Sequence, residues 1–177
     1  MLTKASDVLQ VAPEYGLTMV LRGARVPRTV SIDLREHKLA DRRMDLRTLE
    51  FPDASFDFAI CSHVLEHIVE DRKAMAELFR VLRPGGILLV MVPWDRKAPK
   101  TREDATVTDP AERTRLYGQA DHVRTYGGPD PVDRLHGAGF EVYVDEFGSQ
   151  LAGEIVRRQA LSRDPILRCT KPTAKAS

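Results

Sequence analysis

The chain has 177 residues, 42% of them hydrophobic and 30% charged, with 27 basic against 26 acidic side chains. That length and balance suit one soluble domain with an adequate core, and a net charge of +1 removes the general electrostatic case for nucleic acid or an anionic membrane surface. No apolar run approaches the ~18 residues of a membrane span, and the opening MLTKASDVLQVA does not read as a secretion signal. No CxxC pair or HExxH run suggests a metal, so none is expected. Cys61 and Cys169 sit in apolar runs and are expected as buried packing residues in a reducing, cytoplasmic compartment.

In chain order, residues 8–12 (VLQVA) read as a first strand and residues 13–16 as the loop after it, because Pro13 cannot donate to a ladder and Gly16 permits a turn. Leu17, Val20 and Leu21 form the apolar side of a short helix. Residues 29–32 (TVSI) make a second strand ending in Asp33, and a weaker third lies near residues 43–45, ending in Asp45. The polar run between them has room only for a fragmentary crossover.

Residues 56–61 alternate like a strand, with little charge after Asp57. Ser62 and His63 place polar groups where that strand ends, which is where open α/β sheets keep their ligands. A helix is predicted from His63 through Met75, Leu78 and Leu82, stopped by Pro84-Gly85-Gly86. Residues 87–92 (ILLVMV) form a central fifth strand. Residues 94–126 are the least regular stretch and are expected to form a substrate-side lid, with a short helix starting at Asp109-Pro110. A helix restarts at residues 131–135, a strand follows at 140–144, and residues 166–169 form the last one. The tail, 172–177, is expected to be disordered.

Asp33 can accept hydrogen bonds from both ribose hydroxyls of a nucleoside laid across the sheet edge, with Leu34 beside it, and Asp45 from an adenine amino group. Equally, both could be ordinary strand-ending turn acids. The first loop, Ala12-Pro13-Glu14-Tyr15-Gly16, lacks GxGxxG and so lacks a pyrophosphate cradle. Ala12 and Gly16 allow close backbone approach, while Glu14 would repel a pyrophosphate and pair with a ligand ammonium group. This argues against a dinucleotide oxidoreductase. His63 and His67, four residues apart, would share a helical face; the pair is too sparse for a metal, and His63 is the better ligand-facing candidate. His122, Arg124 and Tyr126 alternate and, if extended, form a polar wall able to position a substrate and remove a proton. Trp94 would be an apolar wall of the same pocket.

Two runs, FPDASFDFAICSHVLEHI and ELFRVLRPGGILLVMVP, in this order and spacing, make residues 7–171 resemble a class I S-adenosylmethionine-dependent methyltransferase. VLQVAPE and DHVRTYG resemble a bacterial, type 11-like subgroup with an APE first loop. The resemblance implies a three-layer Rossmann-like α/β fold over a single domain, 1–177. Its seven-stranded sheet would run in order 3-2-1-4-5-7-6 with strand 7 antiparallel. It further implies S-adenosyl-L-methionine as cofactor, held by Ala12, Pro13, Glu14, Gly16, Asp33, Leu34, Asp45, Leu46, Ser62 and His63. Trp94, Arg124 and Tyr126 would face a small-molecule acceptor, most readily an oxygen nucleophile, with His122 first and His63 second as proton acceptor. Relatives carry a longer front, so the reduced cap is expected to leave room for a second subunit or partner. The rival reading is a non-catalytic partner or regulatory subunit on the same fold, motivated by the altered first loop.

Overall fold

The computed structural model describes residues 6–23, 28–150, 154 and 164–173. Its main sheet is built from β1 (Asp7–Val11), β2 (Arg28–Asp33), β3 (Arg42–Arg43), β4 (Phe56–Ser62), β5 (Leu82–Met91), β9 (Glu141–Asp145) and β10 (Ile166–Thr170). Across the sheet the order is β3-β2-β1-β4-β5-β10-β9. The first five pair in parallel, and β10 runs antiparallel to both β5 and β9. This is the expected Rossmann-like order with its inserted antiparallel strand. Burial follows position in the sheet: β1 is covered along its whole length, Asp7 and Gln10 included, whereas edge strand β9 carries exposed and half-buried residues.

The connection from Asp33 to Arg42 contains only turns, as its polar composition predicts. Helix α1 (Tyr15–Gly23) begins two residues earlier than expected, so Gly16 belongs to its first turn and the loop shrinks to residues 12–14. Helix α2 (Asp71–Val81) packs beside α4 (Asp130–Gly137), with Phe79 set edge-on to Phe140. Cys61 and Cys169 are buried free thiols in the core, and burial pushes both their pKa values up.

The expected helix from His63 does not form. The chain instead turns sharply at His63, with φ of 52°, makes a single 3-10 turn at Leu65–His67, and enters α2 only at Asp71. The cause lies far along the chain. Arg124 donates to the carbonyls of Leu65 (2.9 Å), Ile68 (2.5 Å) and Val69 (2.8 Å). Those carbonyls would otherwise accept intrahelical bonds, so the apolar spacing of Val64, Leu65 and Ile68 reflects packing of a folded-back turn. At its other end α2 runs straight into β5, and Pro84 and Gly85 stand exposed in the bulged start of that strand, not in a separate turn.

Residues 94–126 are a folded excursion. β6 (Trp94–Asp95), β7 (Arg102–Glu103) and β8 (Arg124–Gly127) form a small sheet in order β6-β8-β7. Helix α3 (Pro110–Tyr117) starts where predicted: the Asp109 carboxylate accepts from the Glu112 amide at 2.8 Å, and Gly118 closes the helix in the left-handed region at φ 90°. The excursion is fastened to α2 and α4 by a buried ionic cluster. Asp71 accepts from the Tyr126 hydroxyl (2.6 Å) and from Arg134 (2.7 Å), while Glu103 binds both Arg124 (2.7 Å) and Arg134 (2.6 Å).

Asp71→Asn would leave two buried guanidinium groups short of a counter-charge and is expected to destabilise the fold by about 3–5 kcal/mol in urea unfolding. Tyr126→Phe removes a single charged hydrogen bond and is expected to cost roughly 1.5–3 kcal/mol. The bond from Arg134 holds the Glu103 carboxyl down to about pKa 2, against the cost of partial burial and with help from Arg124. A depressed folded-state pKa gives stability that is complete above the ordinary carboxylate range and is lost as pH falls toward about 2. The melting-temperature gap between wild type and Glu103→Gln is therefore expected to be full at neutral pH and to close progressively through the acid range.

Candidate active site

A cavity of about 720 Å³ opens at the carboxyl ends of β1, β2 and β4. Ala12, Asp33, Leu34, Asp45, Leu46 and His63 all contribute to its wall. Ala12 is the hinge of that wall: it takes φ of 48° while its amide donates to the Ile32 carbonyl at 2.8 Å. The left-handed turn redirects the chain off the sheet where a glycine commonly does so. The small methyl side chain keeps the backbone approachable.

Asp33 is half-buried, and its Oδ1 accepts from the Arg35 amide at 2.8 Å, which fixes the carboxylate while leaving it acceptor capacity. Asp45 is more heavily engaged. Its Oδ1 accepts from the Arg47 amide at 2.8 Å, and the Arg47 guanidinium grips the carboxylate at 2.7 Å before reaching Glu70 at 2.9 Å. That grip lowers the Asp45 pKa against the opposing cost of partial burial. Leu46 is buried behind it and Leu34 is exposed on the opposite flank, so two acids stand beside apolar surface. The donor set fits a nucleoside: fixed acceptors for hydroxyl and amino groups, and an apolar slot for a base.

Four further candidates stand beside the cavity and outside its wall. Ser62 donates to Glu14 Oε1 at 3.2 Å, bridging the ends of β1 and β4, while Pro13 is buried and Gly16 is exposed with open space around it. Glu14 is thus a positioned carboxylate rather than a free loop acid. His63 projects from the sharp turn with its side chain 43% exposed, and the Glu66 carboxylate, whose Oε1 lies 3.3 Å from its Nδ1, raises its pKa.

The expected polar wall of His122, Arg124 and Tyr126 is not brought to this cavity. Arg124 and Tyr126 face inward into the ionic cluster, because three backbone carbonyls and Asp71 take up their polar groups. His122 is buried behind His67, edge-on with ring centroids 4.7 Å apart. Trp94 is half-buried, its Nε1 donating to the Gly128 carbonyl at 2.8 Å and its ring covered by Arg96. The excursion instead offers Arg113 and Asp121 to the cavity wall. Nothing in the local spacing marked those two. Glu66, grouped in the sequence with Ser62, His63 and His67, is completely buried.

Residues 15–90 match the model of a methyltransferase domain family. This chain carries a class I S-adenosylmethionine-dependent methyltransferase domain. A Mycolicibacterium smegmatis protein, named as a probable S-adenosylmethionine-dependent methyltransferase, is 34% identical over 119 residues, covering 67% of this chain and 38% of the relative. The chain thus spans well under half of that relative's length. Among solved structures, an S-adenosylmethionine-dependent methyltransferase from Mesorhizobium loti superposes with a TM-score of 0.66 at 18% identity, over 96% of this chain and 92% of that one. A chain from the Haloferax volcanii complex of the Trm112 methyltransferase activator with a methyltransferase gives 0.65 at 13% identity, over 99% and 86%. These last two likenesses speak for the fold. No helix among the described residues of the domain is long and apolar enough to cross a membrane.

The left-handed turn at Ala12 has a direct consequence. An L-residue there costs about 1–2 kcal/mol, offset in a glycine variant by roughly 0.4–1 kcal/mol of extra unfolded-chain entropy. Ala12→Gly is expected to leave the methyltransferase domain as stable or slightly more so in thermal unfolding. Ala12→Val, β-branched at positive φ, is expected to lower the melting temperature clearly.

Proposed function

We propose that the chain transfers the methyl group of S-adenosyl-L-methionine to a small-molecule acceptor, with an oxygen nucleophile as the favoured acceptor atom. The observation that carries this is the placing of Asp33 and Asp45 on one cavity at neighbouring strand ends, beside Leu46. Asp33 would accept from the ribose hydroxyls. Asp45, fixed in place by Arg47, would accept from the adenine amino group with its remaining lone-pair capacity. Glu14 and Ser62, already joined by a hydrogen bond, would receive the ammonium end of the amino-acid tail at the junction of β1 and β4.

The cofactor supplies an electrophilic methyl carbon on a sulfonium. The chain's own work is to align an acceptor with it and exclude water, which can provide much of the rate without a nucleophilic triad. Methyl transfer to a hydroxyl releases one proton, and His63 in the cavity wall is the side chain placed to take it. Arg113 and Asp121, from the excursion, border the side from which an acceptor would enter. A partner or second copy has a natural seat on α1, which leaves Tyr15, Met19 and Val20 exposed. The fold neighbour from an activator complex is consistent with that arrangement.

Calorimetry with S-adenosylhomocysteine tests the reading. Asp33→Asn is expected to weaken binding by roughly 1.5–3 kcal/mol, about 10- to 100-fold, because a charged acceptor is lost from the ribose. Absence of saturable binding by the wild-type protein at millimolar ligand would end the proposal.

A further inference from the structure

At the cavity wall, where His67 lies, Glu66, His67 and His122 each offer a ligand atom within 4.8 Å of the other two. Three independent features distinguish this cluster from a chance meeting of polar residues. Glu66 is completely buried, and neither of its carboxylate oxygens has a hydrogen-bond partner. His63 Nδ1, 3.3 Å from Oε1, forms an ion pair outside hydrogen-bond geometry, and Oε2 makes no hydrogen bond. A buried carboxylate left in that condition is costly unless something cationic completes it.

The second feature is the state of the two imidazoles. His122 Nδ1 lies 3.1 Å from the Tyr117 carbonyl, and His67 Nδ1 lies 3.3 Å from the Asp121 carbonyl. A carbonyl oxygen can only accept, so both Nδ1 atoms carry the hydrogen. In the neutral rings, Nε2 is then left as the lone-pair atom on each. Imidazoles oriented by Nδ1–H bonds to carbonyls, with a carboxylate close by (Asp121 Oδ2 is 3.4 Å from His67), form the usual supporting arrangement around a metal ion.

Third, the cluster is framed and open. The Val123 amide donates to the Glu66 carbonyl at 2.9 Å, tying the 3-10 turn to the segment that carries His122, while Arg124 fixes the same turn from beneath. His67 keeps its side chain 31% exposed and lines the 720 Å³ cavity, which gives an ion an entry path and a coordination position facing that space.

We infer that Glu66, His67 and His122 bind a divalent transition-metal ion, of the zinc or manganese kind, at the edge of the cavity. Two neutral imidazoles with one carboxylate suit such ions better than magnesium or calcium, which favour all-oxygen shells. A small closure of the rings is needed to reach metal–ligand distances near 2.0–2.2 Å. The remaining coordination positions face the acceptor side. On the methyl-transfer reading, which this role rests on, the acceptor hydroxyl oxygen would bind the ion and give up its proton to His63 in the cavity wall. The resulting alkoxide would form the new bond to the methyl carbon as the carbon–sulfur bond breaks, leaving S-adenosylhomocysteine.

The binding site itself is tested without turnover. Metal-free protein is titrated with Zn²⁺, Mn²⁺ and Mg²⁺ by calorimetry and thermal shift, and with Co²⁺ by its visible spectrum. The expected result is saturable uptake of one Zn²⁺ or Mn²⁺ per chain, a raised melting temperature, Mg²⁺ binding far weaker, and Co²⁺ bands typical of nitrogen and oxygen ligands. Glu66→Gln and the partly exposed His67→Gln are expected to weaken uptake by more than roughly a hundredfold. Their folding is checked by circular dichroism and by a single cooperative thermal transition. Asp33→Asn serves as the converse control, losing nucleoside affinity while keeping the ion. No uptake of any of these ions by the wild type, or equal uptake by wild type and both variants, overturns the metal site. Ion uptake without nucleoside binding would keep the site and remove the methyl-transfer role.

Discussion

The guanidinium of Arg124 on three carbonyls of the turn after β4 governs the rest of the arrangement. Leu65, Ile68 and Val69 cannot continue a helix once their oxygens are taken by a side chain 55 to 59 residues away in sequence. The backbone between Ser62 and Asp71 therefore stays in a tight, non-helical path. That path buries Glu66, exposes His63 to the cavity and lays His67 against His122. Asp71 and Glu103 neutralise the guanidinium pair Arg124 and Arg134, so the clasp is a closed ionic cluster instead of a stranded buried charge.

Much of the fold was legible because a parallel sheet writes itself into sequence as short apolar runs ending in polar residues. Residues 8–12, 29–32, 56–61, 87–92 and 166–169 all lie on or within a residue of observed strands. Asp33 and Asp45 followed from the same logic, since a strand's last side chain must point somewhere and its terminal loop is where polar groups are tolerated. Helix α3 was legible from Asp109-Pro110 alone, as caps act through bonds to their own immediate neighbours.

What sequence could not convey depended on contacts between distant segments. Val64, Leu65 and Ile68 have helical spacing, and only Arg124 decides that they fold otherwise. The alternation of His122, Arg124 and Tyr126 does describe extended backbone at its far end, since β8 begins at Arg124. Which neighbours that side receives is a tertiary matter. A wall of imidazole, guanidinium and phenol reads as a site when the partners are unknown, and as a structural clasp when Asp71, Glu103 and three carbonyls stand against it. The complete burial of Glu66 has the same origin, since the path of the turn that carries it inside is set by contacts from distant segments.

The two left-handed residues nearest the cavity show why this corner is the place for chemistry. Ala12 follows β1 and His63 follows β4, at φ of 48° and 52°, and these two strands are neighbours at the centre of the sheet. At that junction the chain departs from β1 toward β2 and from β4 toward β5, in opposite directions across the sheet. Each strand end must turn away sharply, and the divergence leaves the crevice open. Strain of this kind survives only where surrounding bonds over-determine it. Here the Ala12 amide is held by Ile32, the His63 amide by Met91, and Glu14 reaches across to Ser62. The same bonds that enforce the turns therefore also set the positions of the groups lining the crevice, so the rigidity of the sheet is carried into the site.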